Sequence, residues 1–171
     1  RRGIDVKSAR EVYGVETPVH LQGDIGGVVW VNSWDPKQPM HIDCRFAYSL
    51  LRFAPILKAN HVKKVTWTST YRPPARRRIT SQHGRGLAVD VRSLILDDGR
   101  ELVVLSDWRK AYGSANDCVG KPPTPESKIL RTIICQAEEA NIFRLMLTPD
   151  SDWSHQNHFH IDGFGRGKEM R

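Results

Sequence analysis

No apolar run in this chain approaches the roughly 18 consecutive residues that a membrane-crossing helix needs, so the sequence supplies no such segment. Cysteine is scarce: three residues, none in a C-x-x-C pair, which argues against a zinc site built from thiolates. Repeats and low-complexity tracts are missing, which removes solenoid and array architectures. Neither zinc-finger spacing nor a groove-reading helix is present, so specific nucleic-acid recognition has no motif to rest on. The chain also has no initiator Met and opens at Arg1-Arg2, as a trimmed or processed form does; any signal peptide or anchor upstream would not be visible.

What is present describes one folded domain. The 171 residues suit a single hydrophobic core, and 39% apolar with 26% charged residues is the balance of a globular protein. Acidic residues are outnumbered, 19 to 26, leaving a net charge of +7. Arg72, Arg76, Arg77, Arg78 and Arg85 cluster within fourteen positions, either as a solvated loop or as a patch that attracts polyanions. Three cysteines allow three single pairings. Cys118 and Cys135 flank a Pro-rich stretch and are expected to pair, leaving Cys44 as a buried free thiol within an apolar helical pattern. A loop of that length stabilises by about 3 kcal/mol on the chain-entropy account.

Residues 1–40 carry little periodicity beyond a β-like run at Val28–Val31 and are read as an N-terminal extension packing on a domain of residues 41–171. From Ile42, the spacing of Phe46, Ala47, Leu50, Leu51 and Ala54 predicts a helix that Pro55 should end or kink. Val65–Tyr71 and Gly86–Val91 read as strands, and Leu94–Leu96 with Leu102–Leu105 as a hairpin around Asp97-Asp98-Gly99. Thr124-Pro125-Glu126 starts a helix whose apolar face is Ile129, Leu130, Ile133, Ile134, Ala137 and Ala140. Ile142–Leu147 and His158–Ile161 are expected as closing strands. Hairpins with separate helices define an α+β fold.

Chemistry concentrates in two segments, Ser81–Asp90 and His155–Asp162, which hold four of the seven histidines. On a strand, His158 and His160 point to one face. Asp90 lies on a neighbouring predicted strand, with His83 ahead of it across a loop loosened by Gly84 and Gly86. Two histidines and a carboxylate leave a fourth tetrahedral position open on a divalent metal, the mark of a catalytic site. His20, His41 and His61 have no motif around them and are read as structural or surface residues.

The pattern S-x-H-x-x-G-x-A-x-D, from Ser81 to Asp90, resembles the first metal motif of the D-Ala-D-Ala carboxypeptidases and vancomycin-resistance dipeptidases. His155-x-x-His158-x-His160 is closer to the penicillin-insensitive murein endopeptidases. From Cys44 to Asp162 the chain is similar to the bacterial extensin-like C-terminal family, in Gly86–Trp108 and Leu147–Asp162 above all. The resemblance implies a small central antiparallel sheet flanked by helices, as in the hedgehog and DD-peptidase folds. It implies His83, Asp90 and His160 as ligands of Zn2+, with His158, Arg72 and His155 catalytic and Tyr71 and Ser81 binding substrate. In the dipeptidases a Glu three residues before the last ligand is the general base. Asn157 stands there in this chain, so His158 is the expected base, with His155 second.

The reading that follows is an extracytoplasmic zinc metallopeptidase. It would use metal-activated water against peptidoglycan stem peptides or cross-links, as a DD-endopeptidase or DD-carboxypeptidase, with anionic wall polymer as a further partner of the basic cluster. The alternative is a non-catalytic, metal-containing module that binds the cell wall. Peptide mapping without reduction is expected to recover Cys118 linked to Cys135 and Cys44 as a free thiol; two unlinked peptides would end the pairing.

Overall fold

A computed structural model describes residues 6–8, 11–74, 81–109, 118 and 121–164. The fold is α+β, as the sequence predicts. Three strands, β1 (Val6–Ser8), β2 (Pro18–Leu21) and β5 (Met40–Asp43), form a small antiparallel sheet in the order β1-β2-β5. The main sheet has seven strands: β3 (Gly23–Ile25), β4 (Val28–Asn32), β6 (Val62–Ser69), β7 (Ala88–Leu96), β8 (Glu101–Val103), β9 (Leu145–Leu147) and β10 (Phe159–Asp162). Its order is β3-β4-β6-β7-β10-β9, with β8 paired to β7 beside β10. Among the described residues there are three helices, α1 (Cys44–Ala59), α2 (Val104–Asp107) and α3 (Pro125–Glu139).

The main sheet is larger than the small antiparallel sheet expected, and its β4–β6 pair is parallel. The chain leaves β4, passes through β5 and α1, and re-enters beside β4 in the same direction, which only a crossover of this length permits. Residues 23–32, assigned above to an N-terminal extension, supply β3 and β4 to this sheet and bury Val28 and Trp30 in its core.

Alternation along the strands sets the two faces. Val65, Trp67, Val89, Val91, Phe159 and Ile161 are buried in a core shared with Phe46, Leu50, Phe53 and Leu57 of α1 and Leu130, Ile133, Ile134 and Ala137 of α3. The residues between them, Asp90 and His160, are direct register partners and point to the opposite face. Irregularities in the β6–β7 register set Ser69 against Asp90.

Several local expectations meet the structure differently. β7 runs unbroken from Ala88 to Leu96, joining two segments read apart. The hairpin's second strand ends at Val103, because the Asp107 carboxylate takes the Val103 N–H at 2.7 Å and turns the chain into α2. α1 continues past Pro55 to Ala59. Proline costs the bond to Leu51, but full burial of Leu57 two residues on keeps the segment docked. Cys44 is free, as expected, yet exposed: it is the first helical residue, and the buried face of α1 begins at Phe46. α3 starts as predicted, with Thr124 Oγ1 accepting the Ser127 N–H and Pro125 in its first turn. The Cys118–Cys135 disulfide is present. Arg76, Arg77 and Arg78 of the basic cluster lie outside the described residues.

The junction of β5 and α1 is a polar anchor. Asp43 is wholly buried as the N-cap of α1. It accepts bonds from the N–H and hydroxyl of Thr17, the N–H of Arg45 and the Arg45 guanidinium, all at 2.8–3.0 Å. The Asp43 N–H in turn donates to the carbonyl of Gly86 at 2.8 Å. Gly86 has φ +65°, and a Cβ there would meet Asp43 N at 2.9 Å, so only glycine lets the segment carrying His83 press this closely. Burial works against the Asp43 carboxylate, but its bonds from Arg45 and Thr17 outweigh that and hold the carboxyl below its usual range.

Asp43→Ala is expected to cost about 1–3 kcal/mol, because it orphans several donors at once. The sign follows from the depressed folded value: the stabilisation is full above the ordinary carboxylate pKa and fades as pH falls through the lower folded one. Denaturant titrations should therefore separate the variant from wild type near neutrality and bring the two together in strong acid.

Candidate metal centre

Four chain segments converge at the β6–β7–β10 part of the polar face. β6 ends at Ser69, and Thr70 and Arg72 follow it. His83 opens a 3-10 turn, His83–Arg85, just before β7. Asp90 is the third residue of β7 and His160 the second of β10. The turn is stitched to the end of β6 in both directions. His83 Nδ1 lies 2.5 Å from the carbonyl of Thr70, and the Arg72 N–H donates to the carbonyl of His83 at 3.3 Å.

The first of these bonds decides a proton. A carbonyl only accepts, so Nδ1 of His83 must carry hydrogen, and in the neutral ring Nε2 then carries the lone pair. That Nε2 lies 3.1 Å from Asp90 Oδ1 and 3.2 Å from His160 Nδ1; His160 Nδ1 lies 3.0 Å from the same Asp90 oxygen. His160 Nε2 faces Asp162 Oδ2 at 3.7 Å, so its proton has a carboxylate to meet on the far side of the ring. Asp162 is itself buried, paired through Oδ2 to Arg144, and its Oδ1 has no hydrogen-bond partner.

Three lone-pair atoms are thus drawn within 4.8 Å of one another, on two buried residues and one half-buried residue, and they are the single group of this kind among the described residues. Such atoms repel unless a cation sits among them. Nitrogen and oxygen donors with a carboxylate or carbonyl behind each imidazole are a donor set that suits zinc or another divalent ion. With no metal, protons do that work. Burial opposes the Asp90 carboxylate, yet bonds from His160 and His83 hold its carboxyl well below the usual range. Burial likewise disfavours charged His160, but its bonds to Asp162 and Asp90 raise it to about 9.

The other residues singled out from sequence distribute around this group. His158 Nε2 lies 3.6 Å from Asp90 Oδ1, and its Nδ1 is 2.8 Å from Asn157 Oδ1. Its pKa is lowered, by burial first and then by cationic neighbours His155, His160 and Arg72, against the pull of Asp90. Arg72, largely exposed, sets its guanidinium 3.3 Å from Asp90 Oδ2. The His155 ring lies 5.2 Å from that of His158 and 5.7 Å from that of His160, centre to centre. Tyr71 donates its hydroxyl to the carbonyl of Tyr13, tying it to the N-terminal segment. Ser81 is exposed, and its carbonyl accepts the Gly84 N–H at the start of the 3-10 turn. His20 and His41 pack edge to face on the small sheet, away from the motif residues in sequence and register, and His61 is exposed.

Sequence reasoning missed three participants. Asp162 lies two residues beyond His160 on the same strand face, a spacing that could have marked it. Asp152, three residues before His155, binds that ring at 2.8 Å. Arg131 of α3 makes a buried pair with Asp150 at 2.8 Å, steadying the loop ahead of the histidines, and no local pattern announces it.

The fold and site define an α+β domain with a His/Asp metal-type cluster on the open face of its sheet. Residues 14–171 match the family described as extensin-like protein C-terminus, and the chain belongs to that family. Neither the curated proteins nor the solved structures gave a match.

One zinc per chain is expected by calorimetric titration, with a rise in melting temperature on loading. His83→Ala and His160→Ala should each abolish stoichiometric binding. Unchanged binding in either variant would mean that the metal sits elsewhere.

Proposed function

We propose that this chain is a zinc-dependent peptidase that cleaves D-amino-acid-containing stem peptides or cross-links of peptidoglycan. The observation that carries the reading is the convergence of His83 Nε2, Asp90 Oδ1 and His160 Nδ1, with Arg72 and His158 beside them. The likeness of Ser81–Asp90 and His155–His160 to the motifs of DD-carboxypeptidases and murein endopeptidases supports the substrate class. The Cys118–Cys135 bridge favours an oxidising, extracytoplasmic compartment.

A zinc ion held by His83, Asp90 and His160 supplies Lewis acidity, which acidifies water and polarises a carbonyl oxygen. The residues do the rest. His158 donates its Nδ1–H to the Asn157 side-chain oxygen in a hydrogen bond, so Nε2 is the lone-pair nitrogen turned toward Asp90. Burial, the largest cause lowering its pKa, favours the uncharged ring, whose Nε2 is able to accept a proton from the attacking water. Asn157 itself cannot take a proton, which leaves the base role to the imidazole. Arg72 offers a guanidinium fork to a substrate carboxylate or to the oxyanion formed at the scissile carbonyl.

Asn157 in place of the dipeptidase Glu is the observation that favours the second reading, a metal-containing module that binds the wall without cutting it. Digestion of defined muropeptides, with and without chelator and read by mass, separates the two. Cleavage that chelator abolishes is the expected result; retention on sacculi without cleavage supports the module. His158→Ala should keep its zinc and slow turnover by about 100-fold or more, the scale of a lost acid–base group. A wild-type rate in that variant would move the base elsewhere.

A further inference from the structure

The histidine least explained by the metal cluster is His155, which closes the 3-10 turn Trp153–His155. Its Nδ1 lies 2.8 Å from both carboxylate oxygens of Asp152. A carboxylate accepts and does not donate, so the bond places hydrogen on Nδ1 and the lone pair of the neutral ring on Nε2. Asp152 is not free to swing away, because its Oδ1 also accepts the Ser154 N–H at 2.7 Å and caps the turn. The turn is anchored behind it. Buried Thr148 exchanges bonds with Ser151, and half-buried Asp150 is clamped by Arg131, whose guanidinium lies over the Trp108 ring at 4.1 Å. The His155 side chain is 18% exposed and Asp152 about half, so the pair remains open to water and substrate.

We propose that Asp152 is a positioning residue that holds His155 in the Nδ1–H tautomer, so that Nε2 delivers a proton to the amine leaving the metal centre. The step balances without another reactant. Water adds to the carbonyl carbon and gives one proton to His158; the C–N bond breaks, and the departing nitrogen takes a proton from Nε2–H of charged His155. His158 then returns its proton to His155, whose ring is its neighbour at 5.2 Å. The Asp152 carboxylate offsets the charge on His155 while the proton is held. The bond with His155 is the main cause that keeps the Asp152 carboxyl below its usual range.

The catalytic half of this role rests on the peptidase reading; the tautomer does not, and the experiment keeps them apart. Asp152→Ser preserves a capping oxygen for Ser154 but is too short to hold the imidazole. In the zinc-loaded protein, long-range nitrogen–proton NMR of the His155 ring should report the Nδ1–H form in wild type and a shift toward Nε2–H in Asp152→Ser. On a defined muropeptide dimer, Asp152→Ser and His155→Ala should each lower kcat by about 100-fold, with KM, zinc content and melting temperature unchanged. The double variant should be no slower than His155→Ala. Wild-type kcat in Asp152→Ser, or an unaltered ring tautomer, overturns the proposal. Zinc-loaded wild type that cleaves no muropeptide while the tautomer responds to Asp152→Ser overturns the peptidase reading and proton delivery, and leaves only the tautomer-setting contact.

Discussion

The bond from the His83 ring to the carbonyl of Thr70 is the constraint on which the site depends. It fixes which nitrogen carries the proton, and it fixes where the ring sits, because Thr70 belongs to the segment leaving the central strand β6. The reciprocal bond from Arg72 N–H to the His83 carbonyl makes the ring and the guanidinium parts of one stitched corner. Asp90 and His160 need no such device. They are cross-strand partners, and the register of β7 and β10 sets their spacing. A rigid sheet therefore positions two members of the His/Asp cluster, and a turn pinned by two backbone carbonyls, those of Thr70 and Gly86, positions the third.

Each imidazole near the cluster has an acceptor at one ring nitrogen: Thr70 O for His83, Asp162 for His160, Asn157 for His158 and Asp152 for His155. Four rings without fixed tautomers would scramble donors and acceptors in a crowded space. Backing each one with a single acceptor turns them into a set with assigned lone pairs. The helices on the opposite face of the sheet contribute nothing to this chemistry directly. They bury the alternate residues Val89, Val91, Phe159 and Ile161, and so keep the strands that carry Asp90 and His160 from sliding.

Much of this was legible in the sequence because the signals were local. Alternation in Gly86–Val91 and the H-x-H spacing put Asp90 and His160 on strands, and Thr124-Pro125 marked the start of α3. Legibility failed where distant segments compete for the same residues. Pro55 reads as a stop or a kink, and burial of Leu57 carries the helix past it. Cys44 looked like core, but α1 begins its buried face two residues later. Residues 1–40 looked peripheral because β3 and β4 are short and acquire meaning only through pairing with β6. The backing acceptors were mostly unreadable: Thr70 acts through its backbone, and Asp162 and Asp152 through side chains whose partners are set by the fold.

α3 has one more consequence for the molecule. Its Cys135 is crosslinked to Cys118, and its Arg131 reaches across to grip Asp150, at the root of the loop that carries His155 and His158. The helix thus joins a covalent tie to the loop beside the His/Asp cluster. The same helix therefore carries both the crosslink and, four residues earlier, the arginine that braces the histidine loop.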